Sequence, residues 1–155
     1  MPNAPTAIMP TYGRLPVTFD RGEAAILYDT ADRAYLDGVS GIAVTNLGHN
    51  HPRVTAAVTE QAARLVHTSN LFHIGLQEEA ADLLRQATGM ENMFFCNSGA
   101  EANEAAIKLA RRLGHHRQIA RPHIIVLDGA FHGRTIGALS ATGNPQIREG
   151  FGPLF

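Results

Sequence analysis

Two short segments of the sequence carry groups that could bind a phosphate, an aromatic ring or a carboxylate. The first is Asn97-Ser98-Gly99-Ala100, which directly precedes a helical pattern. The N-terminus of a helix presents unpaired backbone N–H groups and about half a unit of positive charge, and glycine lets an anion approach the backbone closely. A ligand-free alternative also fits, because Ser98 and Glu101 have the spacing of a capping box. Taken alone, the pattern favours the capping box.

The second segment is Phe131-His132-Gly133-Arg134. Phe131 could stack on an aromatic ring, and the two-pronged guanidinium of Arg134 could bind a carboxylate. Apolar runs at 93–96 and 124–128 precede the two segments and are expected to be buried strands. Ligands of open α/β sheets bind at the carboxyl ends of such strands. The alternative is a surface loop with a core-packing phenylalanine and a solvated arginine, and for this loop alone that alternative is favoured.

Other kinds of site find little support in the sequence. The single cysteine, Cys96, excludes a disulfide framework and cysteine-based metal sites, and we expect a small, buried and protonated side chain there. The eight histidines are scattered and form no metalloprotease-type pair on a helix face, so no metal site is predicted. Neither of the common glycine-rich nucleotide fingerprints occurs, which argues against a mononucleotide or dinucleotide site.

Short strands and helices are predicted to position these segments. Residues 17–19, 25–28 and 34–36 form a small antiparallel meander, because β-branched and aromatic residues alternate there with turn-like ones. Residues 38–51 hold three glycines and are expected to be a partly buried loop or one short helix.

Helical periodicity begins at Pro52, a residue that suits the first position of a helix. A second helix is predicted to end at Gly89. A third follows Ser98 and is predicted to end at Gly114, with Glu104 and Lys108 as an i, i+4 ion pair on its charged face.

The composition indicates a folded protein without a polyanionic partner. A length of 155 residues allows about one domain, and 45% apolar with 17% charged residues excludes disorder. A net charge of −1 shows no electrostatic footprint for nucleic acid or an anionic membrane. No apolar run has the length of a signal peptide or a membrane span, so a soluble, cytoplasmic protein is expected. The only lysine is Lys108.

Six runs, in order along nearly the whole chain, resemble the class III, fold-type I aminotransferases that use pyridoxal 5′-phosphate. They are Thr11-Tyr12-Gly13-Arg14, Tyr35-Leu36-Asp37, Gly41-Ile42-Ala43-Val44, Leu47-Gly48-His49-Asn50-His51-Pro52, the segment from Phe95 to Glu104, and Phe131-His132-Gly133-Arg134-Thr135. The Tyr-Gly-Arg and Gly-Ile-Ala-Val runs look most like the acetylornithine branch of that family. Residues 71–76 depart from the commoner family pattern.

The resemblance implies an incomplete α/β fold, the N-terminal part of a fold-type I transferase. Residues 1–50 would form an N-terminal arm and the small-domain β-meander. Residues 51–155 would form the first helices and strands of the large, three-layer α/β/α domain that binds the cofactor, truncated before its end. The strands that flank 93–96 and 124–128 would come from outside this chain.

The family also implies roles for particular residues. Ser98, Gly99 and Ala100 would hold the phosphate of pyridoxal 5′-phosphate, and Phe131 would stack on its pyridine ring. Arg134 would bind the α-carboxylate of the substrate, and Tyr12 would line the active-site entrance.

The implied reaction transfers an amino group from N-acetylornithine to 2-oxoglutarate, which yields glutamate, in a cytoplasmic homodimer. This chemistry needs a Schiff-base lysine and an acidic partner for the pyridine nitrogen. In the family both lie far downstream, and Lys108 lies ten residues after Ser98, roughly 12–15 Å along the helix. No catalytic residue is therefore predicted in this chain, which should be inactive alone.

Two alternatives remain open at this point. The donor could be that of another family member: a succinylornithine, ornithine or 4-aminobutyrate aminotransferase, or glutamate-semialdehyde aminomutase. In an alternative of another class, the chain is a non-catalytic module that binds a phosphorylated ligand or a protein partner.

Overall fold

The computed structural model describes residues 7–155, and the chain forms two compact units that divide between Phe72 and His73. The first unit contains strands β1 (Phe19–Glu23), β2 (Ile26–Asp29) and β3 (Ala34–Leu36), the short helix α1 (Ser40–Ala43) and helix α2 (Pro52–Arg64). The second contains helices α3 (Gly75–Thr88), α4 (Gly99–His116), α5 (Ile136–Ala141) and α6 (Pro145–Arg148). The predicted division into residues 1–50 and 51–155 concerns the domains of the complete fold and stays a prediction.

The three strands form an antiparallel sheet in the order β1-β2-β3, which confirms the predicted meander. The first strand was placed wrongly, because Asp20-Arg21-Gly22 was interpreted as a turn and lies within β1. Arg21 belongs in the strand because its guanidinium lies 3.6 Å from the centre of the Tyr28 ring and donates to Asp32 at 3.0 Å. The Arg21 side chain thus stabilises the pairing of β1 with β2 by its contact with the Tyr28 ring.

Asp29 closes the hairpin between β2 and β3. Its carboxylate is almost fully buried, with 2% of the side chain exposed, and it accepts hydrogen bonds from Ala31 N, Arg33 N, Arg33 Nε and the Tyr35 hydroxyl at 2.7–3.0 Å. Burial raises the pKa of this carboxyl, but the hydrogen bonds from Arg33, Ala31 and Tyr35 outweigh it and lower the pKa to about 2.

The predicted loop or short helix at 38–51 contains α1, whose residues have left-handed backbone angles. The φ values are +50° at Ser40, +62° at Gly41, +64° at Ile42 and +60° at Ala43. Each non-glycine residue in this region costs about 1–2 kcal/mol, so the turn needs support from its flanks.

Asp37 and His49 supply that support. The Asp37 carboxylate accepts from Val39 N at 3.0 Å and Ser40 N at 2.8 Å, and it lies 2.7 Å from Nε2 of His49. The hydrogen bond from His49, followed by that from Ser40, lowers the pKa of Asp37. The backbone of His49 in turn pairs with Ala24 through two hydrogen bonds of 2.7 and 3.0 Å, which attaches the turn to the sheet.

The helix boundaries follow the sequence signals at three of four places, including the start of α4 directly after Ser98. Helix α2 begins at Pro52, and α3 ends where Gly89 adopts a left-handed φ of +73°, as predicted. The prediction that α4 ends at Gly114 was wrong, because the helix continues to His116. Gly114 is buried against Pro122, and an added Cβ would lie 2.6 Å from the proline ring. Close packing, rather than helix termination, explains this glycine.

The runs at 93–96 and 124–128 are not strands, which corrects the prediction of two buried strands. An apolar run becomes a strand only when a neighbour supplies hydrogen-bond partners, and within residues 7–155 neither run has one. Both runs are also largely exposed: Phe94 is 70% and Ile125 95% accessible.

The core of the second unit lies under α5. Ala138, Leu139 and Thr142 are 0–2% exposed. In the described part of the chain, no helix is both long enough and apolar enough to cross a membrane.

Candidate cofactor and substrate site

The capping box predicted at the start of α4 is present. Ser98 adopts an extended conformation, its Oγ accepts from Glu101 N at 3.2 Å, and its hydroxyl donates to Glu101 Oε2 at 3.0 Å. Asn97 N also donates to Glu101 Oε2, at 2.8 Å. Hydrogen bonds from the side chains of Asn97 and Ser98 lower the pKa of Glu101. The box therefore orders the first turn without using all of its backbone donors.

The donors that remain include the N–H groups of Gly99 and Ala100. Neither donates to an acceptor within residues 7–155. A Cβ added at Gly99 would meet no atom within 4 Å, so the backbone faces an open space. The first turn suits a phosphate group, because it combines N–H groups that have no acceptor in the described residues with the positive end of an 18-residue helix. The capping box and an anion site are therefore compatible.

The Phe131-to-Arg134 loop lies against this first turn. Gly133 is buried with a φ of +134°, and a Cβ added there would lie 2.8 Å from Ala100 Cβ and 3.0 Å from Ala138 Cβ. Only glycine permits so close an approach of the loop to the helix. The structure thus brings the two predicted segments together within the second unit.

Three polar side chains hold the loop in place. Asn103 Nδ2 donates to the His132 carbonyl at 2.6 Å. Thr142, fully buried, accepts from His132 N at 3.1 Å and lies 3.3 Å from the Gly133 carbonyl. Glu104 binds the start of α5, where Thr135 Oγ1 donates to its carboxylate and Ala138 N donates at 3.0 Å. The loop therefore follows α4 and α5 rather than moving freely at the surface.

Sequence reasoning did not assign a site role to Asn103, Glu104 or Thr142. The predicted pair of Glu104 and Lys108 is confirmed only as a longer-range interaction, in which, after the hydrogen bond from Thr135, the Lys108 charge helps to lower the pKa of Glu104. The Glu104 carboxylate turns to α5, and no ion pair within 4.0 Å joins the two side chains in the described residues. The available signal was an Asn-Glu pair amid the alanines of a helix, one turn after its cap.

The side chains with predicted ligand roles are accessible. Phe131 is 59% exposed, so it does not pack in the core, and Arg134 is also exposed. Nδ1 of His132 is buried and has no hydrogen-bond partner within residues 7–155, and a buried polar atom of this kind calls for a partner from elsewhere. Tyr12, 64% exposed, lies in the first unit.

Two further predictions concern Cys96 and Lys108. The thiol of Cys96 is exposed rather than buried and lies 3.4 Å from the Ser98 carbonyl. It is exposed because the run that carries it lacks neighbouring strands. Lys108 is exposed and lies with Phe94 and Arg112 along a groove of about 700 Å³. Within the described residues, no three His, Cys, Asp or Glu side chains gather at metal-binding distance.

The comparisons with known proteins decide the family. A model of the class III aminotransferases matches residues 7–155. This chain belongs to the class III aminotransferase family. The acetylornithine aminotransferase of Nitrosomonas europaea is 55% identical over 147 residues, which are 95% of this chain and 37% of that protein. The chain thus spans just over a third of the length of such relatives.

Solved structures agree with the family and with the fold. The ornithine aminotransferase of Toxoplasma gondii matches with a TM-score of 0.88 and 30% identity over 96% of this chain and 36% of that one. An N-acetylornithine aminotransferase from Stenotrophomonas maltophilia matches with a TM-score of 0.72 and 41% identity, over 79% of this chain and 34% of that one. The chain is therefore a partial fold-type I transferase, and the cofactor of its family is pyridoxal 5′-phosphate.

The residues present fit that cofactor. The open space beside Gly99 and the two N–H groups without an acceptor in the described residues suit the phosphate. The adjacent loop offers an exposed phenylalanine and an exposed arginine.

Proposed function

We propose that residues 1–155 are the N-terminal part of an acetylornithine aminotransferase. The complete protein would transfer an amino group from N-acetylornithine to 2-oxoglutarate in arginine biosynthesis, as a cytoplasmic homodimer. The main support is the packing of Gly133 on Ala100, because Ala100 belongs to the turn proposed to bind the cofactor phosphate and Gly133 belongs to the loop that carries Phe131 and Arg134. Relatives of 49–55% identity that are named acetylornithine aminotransferases support the choice of donor.

Each residue has a defined task in this proposal. The N–H groups of Gly99 and Ala100 bind the cofactor phosphate, and the Ser98 hydroxyl, which donates to Glu101 in this structure, turns toward it. Phe131 stacks on the pyridine ring, and Arg134 binds the substrate α-carboxylate as a charge-assisted pair. When bound, pyridoxal 5′-phosphate supplies the electron sink.

The lysine of the reaction would come from another part of the complete protein. Lys108 lies ten residues after Ser98, which is about 15 Å along α4 at 1.5 Å per residue. It cannot reach a ring whose phosphate is held at the first turn.

The test compares amino donors with the full-length enzyme that contains this segment. Half-reactions with N-acetylornithine, ornithine and 4-aminobutyrate should show the highest kcat/KM for N-acetylornithine. A higher value for ornithine or 4-aminobutyrate would assign the protein to another branch of the family. Reading the nucleotide sequence beyond Phe155 tests the simpler point: a stop codon there would favour the non-catalytic module.

A further inference from the structure

The N-terminus of helix α5 is capped by a side chain from another helix rather than by its own N-cap residue. Thr135 occupies the N-cap position, yet its hydroxyl does not cap the helix. It donates instead to Glu104 on α4, and the same carboxylate oxygen accepts from Ala138 N at 3.0 Å, the bond that a capping side chain normally accepts. Glu104 thus caps α5 from a different helix, 31 residues away in sequence from Thr135.

The fit around this carboxylate is close. A Cβ added at Gly137 would lie 2.6 Å from Glu104 Oε1 and 2.8 Å from Cδ, so a side chain there would displace the carboxylate from this position. A negative charge at the N-terminus of a helix is favourable. The hydrogen bond from the Thr135 hydroxyl lowers the pKa of Glu104 by more than burial raises it, so the pKa lies below its usual value. The shift favours the ionised form of the carboxylate, and the hydrogen bonds from Thr135 and Ala138 orient it.

Arg134 is the residue directly before Thr135, so its backbone is held from both sides. The Asn103 side chain binds the His132 carbonyl two residues earlier, and Glu104 binds Thr135 one residue later. Both holding residues lie one turn after the Gly99-Ala100 donors on α4. A shift of Glu104 would therefore shift the backbone from which the Arg134 side chain extends.

We propose that Glu104 is a positioning residue for recognition of the substrate carboxylate. It fixes Arg134 at a set distance from the phosphate-binding turn by capping α5 from α4. The inference rests on the proposed role of Arg134. It adds that the preference for substrates with an α-carboxylate depends on a side chain that does not touch the substrate.

The test measures a preference rather than a rate. In the full-length enzyme, kcat/KM is determined for N-acetylornithine and for N-acetyl-1,4-diaminobutane, the same amine without the α-carboxylate. We expect Glu104→Ala to lower the ratio of the two values about 10- to 100-fold, because misplacing a binding group by about 1 Å has effects of that size. The value for the diaminobutane derivative should fall much less, because that substrate has no carboxylate for Arg134 to bind. Glu79→Ala, an exposed position on α3, is the matched control and should leave the ratio unaltered.

Two further variants keep the test valid if Glu104→Ala does not fold. Glu104→Gln retains an oxygen that can accept both hydrogen bonds, so it should restore most of the ratio. Thr135→Val removes one donor without changing charge and should lower the ratio to a smaller extent.

Equal losses for both substrates in Glu104→Ala and Thr135→Val would mean a merely structural role and would overturn the inference. Arg134→Ala separates the two proposals. If it abolishes the preference while Glu104→Ala does not, the role of Glu104 is refuted and that of Arg134 stands. If Arg134→Ala leaves the preference intact, both proposals are wrong.

Discussion

Gly133→Ala should separate the two halves of the candidate site. The new Cβ would lie 2.8 Å from Ala100 Cβ, 3.1 Å from Ala100 Cα and 3.0 Å from Ala138 Cβ. These neighbours are helix backbone and Cβ atoms, which cannot rotate away. Because ordinary carbon contacts are about 3.5–4.0 Å, the loop must move about 1 Å from α4.

The energetic cost has two sources. Inserting a methyl group into a packed site costs about 1–3 kcal/mol, and holding alanine at a φ of +134° adds about 1–3 kcal/mol. Part of this cost is relieved by displacement of the loop. The displacement should lower kcat/KM about 100-fold and weaken cofactor binding, because Phe131 moves with Gly133.

The assay combines three measurements on the full-length enzyme. Cofactor affinity is measured by titrating the apoenzyme with pyridoxal 5′-phosphate. The value of kcat/KM is determined with N-acetylornithine, and the midpoint of thermal unfolding is determined with and without cofactor. Gly75→Ala is the matched control, because a Cβ there meets no atom within 4 Å and the glycine needs no left-handed φ. If Gly133→Ala behaves like Gly75→Ala in all three measurements, the contact between the loop and α4 does not position the site.

Three other outcomes are expected. Gly99→Ala should fold normally, since a Cβ there meets no protein atom within 4 Å, but it should weaken cofactor binding about tenfold by placing a methyl group where the phosphate approaches. Gly38→Ala, where a Cβ is equally free of contacts, is the control and should leave cofactor binding unchanged. If the two variants bind the cofactor with equal affinity, the proposed phosphate site is refuted. Because the pKa of Asp29 is lowered to about 2, its ionised form stabilises the fold above the ordinary pKa of 3.8, and this stability should disappear as the pH falls from about 4 to 2. Urea-unfolding midpoints of Asp29→Asn should be lower at neutral pH and lack that acid-dependent part, and an unchanged profile would contradict the assignment. Lys108 of the 155-residue chain should react with pyridoxal 5′-phosphate and borohydride no faster than in the urea-unfolded chain, and rapid stoichiometric labelling would show that it is a cofactor lysine.

Local signals in the sequence predicted the parts of the fold that depend on neighbouring residues. Pro52 and Gly89 marked helix ends because their effect on the backbone is local. The capping box of Ser98 and Glu101 was legible for the same reason, since both partners lie within one turn. The residue types of Phe131 and Arg134 made their loop a candidate, but only the family resemblance favoured a ligand role over an ordinary surface loop.

The features that the sequence did not reveal depend on distant partners. The runs at 93–96 and 124–128 have the composition of strands, but a strand also requires a neighbour, and no neighbour is present among the described residues. Gly114 is a residue type that often ends a helix, but here a glycine is required because Pro122 packs directly against it. Glu104 has the spacing for Lys108, but a hydroxyl and a backbone N–H at the start of α5 compete successfully for its carboxylate.

The left-handed turn at Ser40–Ala43 bears on how this segment can vary. Three of its four residues carry side chains that disfavour its backbone angles, and Ile42 is β-branched. The backbone conformation of the turn is therefore stabilised by Asp37 and His49, which lie outside it. Substitutions within the turn can alter the surface it presents while its path is preserved. Loss of Asp37 or His49 would destabilise the backbone conformation of the turn even if every residue of the turn itself were kept. A redesign of this surface should therefore retain these two residues.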